Sequence, residues 1–126
     1  MKWSGSLSQA SSLRNAVAEC GEAIRKDMDG LEPDLLVVFV SPHHESSYEE
    51  LPGLVRKEIG SGMLLGCSGT GIIGDGREIE DRPALSITAA HLPDVDILPF
   101  HLDAGDLPDA DAAPNSWEIA FNTQPE

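Results

Sequence analysis

A run of six consecutive apolar residues, Leu35–Val40, constrains the fold of this chain more than any other feature of the sequence. A short apolar run that is bounded by turn residues predicts a β-strand covered on both faces. Pro42 ends the predicted strand, because proline cannot donate a hydrogen bond to a sheet. A second apolar run, Met63-Leu64-Leu65, predicts another buried strand, and the connection between the two is short enough for a parallel pair.

Helical patterns precede both predicted strands. Residues 8–29 repeat apolar side chains at three- and four-residue steps, which predicts an amphipathic helix that Ser8 caps and Asp29-Gly30 ends. A shorter helix is predicted to begin near Leu51, after two overlapping capping boxes within residues 46–50. The order of elements up to the second strand is therefore α-β-α-β.

The second half of the chain has a different pattern. Residues 83–90 alternate apolar and polar side chains, as a half-exposed strand does, and residues 95–102 repeat the alternation more weakly. Two neighbouring strands of this kind predict an antiparallel addition to the sheet. Residues 103–116 lack periodicity and predict a loop, and a last alternating apolar strip covers residues 117–121. The predicted fold class is α/β, leaning toward α+β: a mixed β-sheet with an α-β-α-β start followed by alternating, antiparallel strands.

Length and charge set the broad class of protein. A chain of 126 residues has the length of about one domain, and we expect a single domain over residues 1–126. Its ordered core is expected over residues 8–102, followed by an acidic loop and tail over residues 103–126. The net charge of −14 disfavours nucleic acid and anionic membranes as partners. The sequence contains no run of eighteen apolar residues and no signal-peptide pattern, so we expect a cytoplasmic protein.

A glycine-rich turn follows the second predicted strand. Residues 69–74 match the G-x-G-x-x-G pattern that binds the pyrophosphate of a dinucleotide. That function requires a helix to start within the turn, but the next residues, 75–83, contain two further turn signals and no helical apolar stripe. We therefore expect no dinucleotide and no other cofactor. The glycines are better explained as positions where the backbone runs close to other backbone or to a small ligand.

Polar residues gather where the two predicted parallel strands end. The carboxyl ends of parallel strands lie at the same edge of a sheet, and ligands of α/β proteins bind there. Backbone N–H groups of the glycine-rich turn can bind a carboxylate, and nearby hydroxyl groups can orient the ligand. The candidate ligand-binding residues are Ser41, His43, Cys67, Ser68, Gly69, Thr70 and Gly71. The alternative is that the turn only allows the sheet to pack tightly, with ligand contacts elsewhere.

Two other function classes stay open at the level of the sequence. Cys67 and His43 could form the nucleophile and base of a thiol-dependent hydrolase or transferase, although a small, buried and inert cysteine is the commoner case. The acidic residues 103–116 could instead make the chain a non-catalytic interaction module for a basic partner. The spacing of histidine, cysteine and carboxylate residues supports no metal site. We expect no enzymatic activity.

The order of these motifs resembles the FIST domain (F-box and intracellular signal transduction). The first strand ends in an F-x-S run at residues 39–41, and a GCS-x-x-G turn follows the second strand at residues 66–71. An acidic stretch at 78–80 and a P-A-L-S strand start at 83–86 come next, as in that family. The resemblance spans roughly residues 9–102 and is to the N-terminal FIST region, in truncated form. An alanine or a further small residue is frequent in the family where Gly-Thr-Gly stands here.

The resemblance implies a function that composition and spacing do not. It implies an intracellular sensory domain that binds a small molecule, with amino acids as candidate ligands, and it implies neither catalysis nor a cofactor. Longer members of the family carry a C-terminal FIST region or signalling domains, which are the partners that the resemblance suggests. If the ligand pocket lies between the two FIST regions, this chain holds half of it.

Overall fold

The structure, a computed structural model, describes residues 1–121, which belong to two compact units, Met1–Val95 and Asp96–Glu126. The first unit contains most of the secondary structure. In chain order its elements are β1 (Lys2–Ser8), α1 (Leu13–Met28), β2 (Leu35–Val40), a 3-10 helix (Pro42–Glu50), α2 (Leu51–Glu58), β3 (Met63–Ser68), β4 (Gly71–Gly74), β5 (Arg77–Glu80) and β6 (Leu85–His91). The second unit contains α3 (Pro114–Ala120).

A four-stranded mixed sheet organises the first unit. Its strand order is β1-β6-β2-β3, and the pair β4-β5 forms a separate small antiparallel sheet. β2 and β3 are parallel and in register, with Leu35 opposite Met63 and Val40 opposite Ser68. β6 runs antiparallel to both β1 and β2. The predicted α/β class with an antiparallel addition is confirmed, because β6 adds to β2 in the antiparallel direction.

The core lies between one face of this sheet and the helices α1 and α2. It is built from aliphatic side chains of α1 and of alternate positions in β2 and β6. Its largest fully buried members are Ile24, Met28, Leu36, Leu85, Ile87, Val17 and Val55. Side chains along β2 point alternately to the two faces of the sheet, so every second residue enters the core. The apolar residues of α1 recur every three to four positions and so share one face of the helix.

The start of α1 differs from the prediction. Ser12 caps the helix by accepting a hydrogen bond from the Asn15 N–H at 3.2 Å. The predicted cap at Ser8 is wrong, because residues 2–8 form the strand β1 beside β6. The predicted stop is confirmed: Asp29 takes the left-handed conformation, with φ of 53°, and Gly30 follows with φ of 84°. The predicted start of α2 at Leu51 is also confirmed.

The glycine-rich turn leads into the β4–β5 hairpin and not into a helix. Asp75 and Gly76 both have positive φ, 50° and 68°, which is the conformation that a two-residue hairpin turn requires. A Cβ atom added at Gly74 would lie 2.6 Å from Ser86 Oγ and 3.3 Å from Leu7 Cβ. The hairpin therefore lies close against β1 and β6, and the predicted role of a glycine in close approach is confirmed at this position.

Three strands differ in burial from what their sequences predict. β3 was predicted to be buried, but it is the edge strand, and Leu65 is 51% exposed. Phe39 in the neighbouring strand β2 is 41% exposed, so β2 is fully covered on only one face. β6 was predicted to be half exposed, but it is central, between β1 and β2, and Ser86 is buried. Position in the sheet, rather than composition, decides these exposures.

The second unit has a helix where the sequence predicted an extended strip. Residues 95–102 form no strand, and residues 114–120 form α3. Trp117 and Phe121, four positions apart, stack with ring centroids 6.0 Å apart on successive turns. Phe100 meets Phe121 edge-on at 5.1 Å. The rest of the predicted tail, residues 122–126, lies outside the described residues.

Candidate functional site

Ser41 fixes the point where β2 ends. Its backbone N–H donates to Ala84 O at 2.9 Å, and its hydroxyl oxygen accepts a hydrogen bond from Ala84 N at 3.0 Å. The Tyr48 hydroxyl donates to Ser41 O at 3.0 Å. Ser41 is 1% exposed, so its hydroxyl joins the end of β2 to the start of β6 and has little surface for a ligand.

A groove of about 330 Å³ runs along β3, between this strand and the 3-10 helix and α2. Most of its wall is aliphatic, and Cys67 and Ser68 lie at its polar end. The lining residues are Val38, Val40, Tyr48, Leu51, Pro52, Leu64, Leu65, Gly66, Cys67 and Ser68. Two of the seven candidate residues from the sequence therefore line one groove.

The open edge of β3 supplies polar groups to this groove. Met63 N donates to Asp34 O, and Gly69 N donates to Val40 O, at 2.8 and 3.0 Å. In a parallel pair, alternate residues direct both backbone groups to the same neighbour. Because positions 63 and 69 face β2, the N–H and C=O groups of Leu64, Gly66 and Ser68 face the open edge. No strand within residues 1–121 pairs with that edge.

The glycine-rich turn provides fewer free hydrogen-bond donors for an anionic ligand than the sequence predicted. The Gly69 N–H is already donated to Val40 O. Gly71 is paired with Glu80, and a Cβ atom added at Gly71 would lie 3.7 Å from a Glu78 carboxylate oxygen. Thr70 is exposed and does not line the groove. The carboxylates of β5 therefore place negative charge beside the segment that was expected to hold a carboxylate.

A second, polar pocket of about 200 Å³ lies between the N-terminus of α1 and the 3-10 helix. Its lining residues are Ser11, Ser12, Leu13, Arg14, His43, His44, Ser46, Ser47 and Glu50. His43 is exposed and belongs to this pocket, whereas Cys67 belongs to the groove. The structure therefore places the proposed thiol and its proposed base in different pockets.

Sequence reasoning did not single out His44 from its neighbour. His44 is 3% exposed, and its Nε2 atom has no hydrogen-bond partner. Burial, together with the nearby His43, lowers the pKa of His44 below its usual 6.5. The one available signal was its place three residues after Ser41, because a 3-10 helix has three residues per turn and so brings every third residue to the same face.

The two cysteines are in opposite environments. Cys67 is exposed, so the expectation of a buried thiol at this position is wrong. Cys20 is buried in the core, and burial raises the pKa of its thiol to about 11. Within residues 1–121, no group of three or more histidine, cysteine or carboxylate side chains is arranged to hold a metal ion. None of the helices there is long and apolar enough to cross a membrane.

The family comparison agrees with the order of motifs along this fold. The FIST N domain matches residues 34–117, a span that runs from β2 through the groove and the hairpin into α3. The chain belongs to the FIST N domain family. The FIST domain is associated with signal transduction. The resemblance stated from the sequence is thereby confirmed.

Two proteins of Mycobacterium tuberculosis are similar to the chain. They are the uncharacterized protein MT0656 of strain CDC 1551 / Oshkosh and the uncharacterized protein Rv0628c of strain ATCC 25618 / H37Rv. Each is 31% identical over 97 residues, which cover 77% of this chain and 25% of the relative. The chain thus spans about a quarter of the length of these relatives. No solved structure matches it.

Proposed function

We propose that the chain forms the small-ligand-binding part of a FIST sensory domain, and that the ligand occupies the β3 groove. The proposed ligand is an amino acid or a similarly small metabolite with both polar and apolar parts. One observation carries this proposal: unpaired backbone groups of β3 border an aliphatic groove of about 330 Å³. Ligand sites are typically concave and mostly apolar, with a few convergent polar groups and volumes of about 300–1,000 Å³.

The chemistry of the groove suits such a ligand. The outward backbone C=O of Leu64 or Gly66 can accept a hydrogen bond from an amino group, and the outward N–H of Ser68 can donate to a carboxylate. An aliphatic ligand side chain would pack against Leu51 and Pro52 on the opposite wall. The ligand would form hydrogen bonds with the backbone groups at the open edge of β3, as one residue of an added strand does.

The proposed role is binding without chemical conversion. It is supported by the separation of Cys67 and His43, which line different pockets. It is also supported by Ser41, whose hydroxyl holds the Ala84 N–H inside the fold, where Ser41 is almost completely buried and out of reach of a substrate.

A thermal-shift screen of the full chain against amino acids, nucleotides and small carboxylates tests the proposal. A ligand at 100 times its Kd adds about 2.7 kcal/mol of stability, which raises Tm by roughly 8–15 °C in a chain of this size. Ser68→Trp fills the groove and should abolish the shift. Thr70→Trp is the matched control, because Thr70 is also exposed but lies outside the groove. Equal shifts in the two variants, or a cooperative melt that no compound moves, would contradict the proposal.

A further inference from the structure

We propose that the β3 groove selects L-amino acids with an aliphatic side chain, which bind antiparallel to β3 with the carboxylate toward Arg56. We rest this inference on the function proposed above, and it adds the direction, the handedness and the side-chain class of the ligand. Three features carry it: the backbone groups of Gly66, the opposite charges at the two ends of β3, and the uncharged walls of the groove.

Gly66 presents both of its backbone groups in the middle of the open edge. Met63 N and Gly69 N face β2, so the alternation along a parallel strand turns the N–H and C=O groups of Gly66 outward. A residue added antiparallel to β3 donates its own N–H to that C=O and accepts from that N–H. An amino acid in this position has its ammonium group toward Ser68 and its carboxylate toward Leu64.

Arg56 supplies a positive charge beside the start of β3. It follows Pro52, which lines the groove, by one turn on the same face of α2. Only residues 59–62 connect α2 to β3, so the last turn of α2 lies near the first residues of that strand. Arg56 is exposed, and in the described part of the chain no carboxylate pairs with it, whereas Lys57 lies 3.5 Å from Glu58 Oε1.

Carboxylates supply negative charge at the other end of β3. The strand ends at Ser68, and the β4–β5 hairpin that follows contains Glu78 and Glu80. A Cβ atom added at Gly71 would lie 3.7 Å from a Glu78 carboxylate oxygen and 3.8 Å from one of Glu80. These charges favour a zwitterion with its ammonium group toward Ser68 and its carboxylate toward Arg56. They therefore select the antiparallel direction.

The handedness of the ligand follows from this direction. Directly opposed residues of an antiparallel pair carry their side chains on the same face of a sheet. The face of Gly66 is shared by Leu64 and Ser68, because side chains alternate along a strand. On that face, Leu51 and Pro52 form the opposite wall of the groove. Because Gly66 has no side chain, the side chain of an L-amino acid can lie over it and contact this wall.

The other arrangements lose the contact with that wall. A D-amino acid held by the same backbone groups directs its side chain to the opposite face of the sheet. An L-amino acid bound parallel to β3, with its carboxylate at Ser68 N, lies opposite Cys67 and also directs its side chain to that face. Only the antiparallel L-amino acid combines the backbone hydrogen bonds with the contacts to Leu51 and Pro52.

The walls of the groove determine the side-chain class. None of the ten lining residues has a charged side chain, and Val38, Val40, Leu51 and Leu64 are aliphatic. A charged ligand side chain would lose its hydration there without gaining a partner. An aliphatic side chain would instead be removed from water against these residues.

The experiment is isothermal titration calorimetry of the full chain with L-leucine, D-leucine, L-glutamate and L-lysine. We expect L-leucine to bind at least roughly tenfold more tightly than the other three. Arg56→Gln should weaken L-leucine binding roughly three- to tenfold, because a charged partner of the carboxylate is lost. Lys57→Gln is the matched control and should leave the Kd unchanged, because Lys57 is exposed but already pairs with Glu58. L-leucinamide, which has no carboxylate, should lose no affinity in Arg56→Gln.

Several results would overturn the inference. These are equal binding of L-leucine and D-leucine, tighter binding of a charged amino acid, or equal losses in Arg56→Gln and Lys57→Gln. Binding of N-acetyl-L-leucinamide as tight as that of L-leucine would also overturn it, because the edge would then take a peptide unit.

Ser68→Trp separates these results from a failure of the proposed function. If this variant abolishes the binding of an amino acid that is not selected as described, the groove is a ligand site and only the selectivity is wrong. If no amino acid binds the wild-type chain, both proposals are wrong.

Discussion

Replacing Ser41 by alanine should destabilise the chain without acting on a ligand. The substitution removes the hydroxyl that accepts the Ala84 N–H, at a position where Ser41 is 1% exposed and Ala84 is 0% exposed. A buried donor without an acceptor costs about 1–3 kcal/mol. The first unit spans residues 1–95, and for a domain of that size this loss lowers Tm by roughly 5–20 °C.

The assay is thermal unfolding of the full chain followed by circular dichroism, with two comparison variants. Tyr48→Phe removes the donor to Ser41 O and should cost about 0.5–1.5 kcal/mol. Ser68→Ala alters an exposed side chain and should change stability by less than about 0.5 kcal/mol. A Ser41→Ala melt that coincides with the wild type would refute the structural role of the hydroxyl. Loss of ligand binding with unchanged stability would instead make Ser41 a ligand contact.

Three further predictions follow from buried groups and tight contacts. Gly66→Ala should destabilise the chain by about 1–3 kcal/mol in urea unfolding, because the added Cβ atom would lie 1.9 Å from Val38 O. Gly53→Ala is the control and should be neutral or stabilising, because the added Cβ atom would meet open space. Equal losses of stability in the two variants would contradict the structure. The folded-state pKa of Cys20 is about 11, against 9.0 for the free thiol. The contribution of this thiol to stability should therefore be constant below pH 9 and fall by about 2–3 kcal/mol between pH 9 and 11. Cys20→Ala should remove that slope, and a slope that persists in the variant would assign it to other groups. Burial lowers the pKa of His44 below 6.5. The contribution of His44 to stability is therefore complete above pH 6.5 and is lost as the pH falls through its folded-state pKa. An unfolding free energy that rises on acidification below pH 6.5 would contradict this prediction.

Local patterns predicted the elements that form from nearby residues. The apolar stripe of α1, the apolar run of β2 and the stop at Asp29 are properties of short segments, and the structure contains all three. β1 was missed because its sequence, KWSGSLS, is rich in serine and glycine. Its strand conformation depends on pairing with β6, about eighty residues away, and such partners are not visible in a local pattern.

The sequence also did not predict which strands are exposed or which distant residues pair with each other. β3 has the composition of a buried strand, but its place at the edge of the sheet is set by the topology. Ser41 was expected to contact a ligand, because a hydroxyl at a strand end fits that role, yet its partner Ala84 is 43 residues away. The polar pocket combines the start of α1 with the 3-10 helix, so its residues come from two separated segments of the chain.

The central claim is that the groove beside β3 binds a small ligand. The most direct measurement is a ¹H–¹⁵N correlation spectrum of the full chain, recorded with and without the amino acid that gives the largest thermal shift. We expect saturable changes at the amides of Leu64, Gly66 and Ser68, which face the open edge, and at Leu51 across the groove. Saturable changes centred on other parts of the chain, with these amides unmoved, would contradict it.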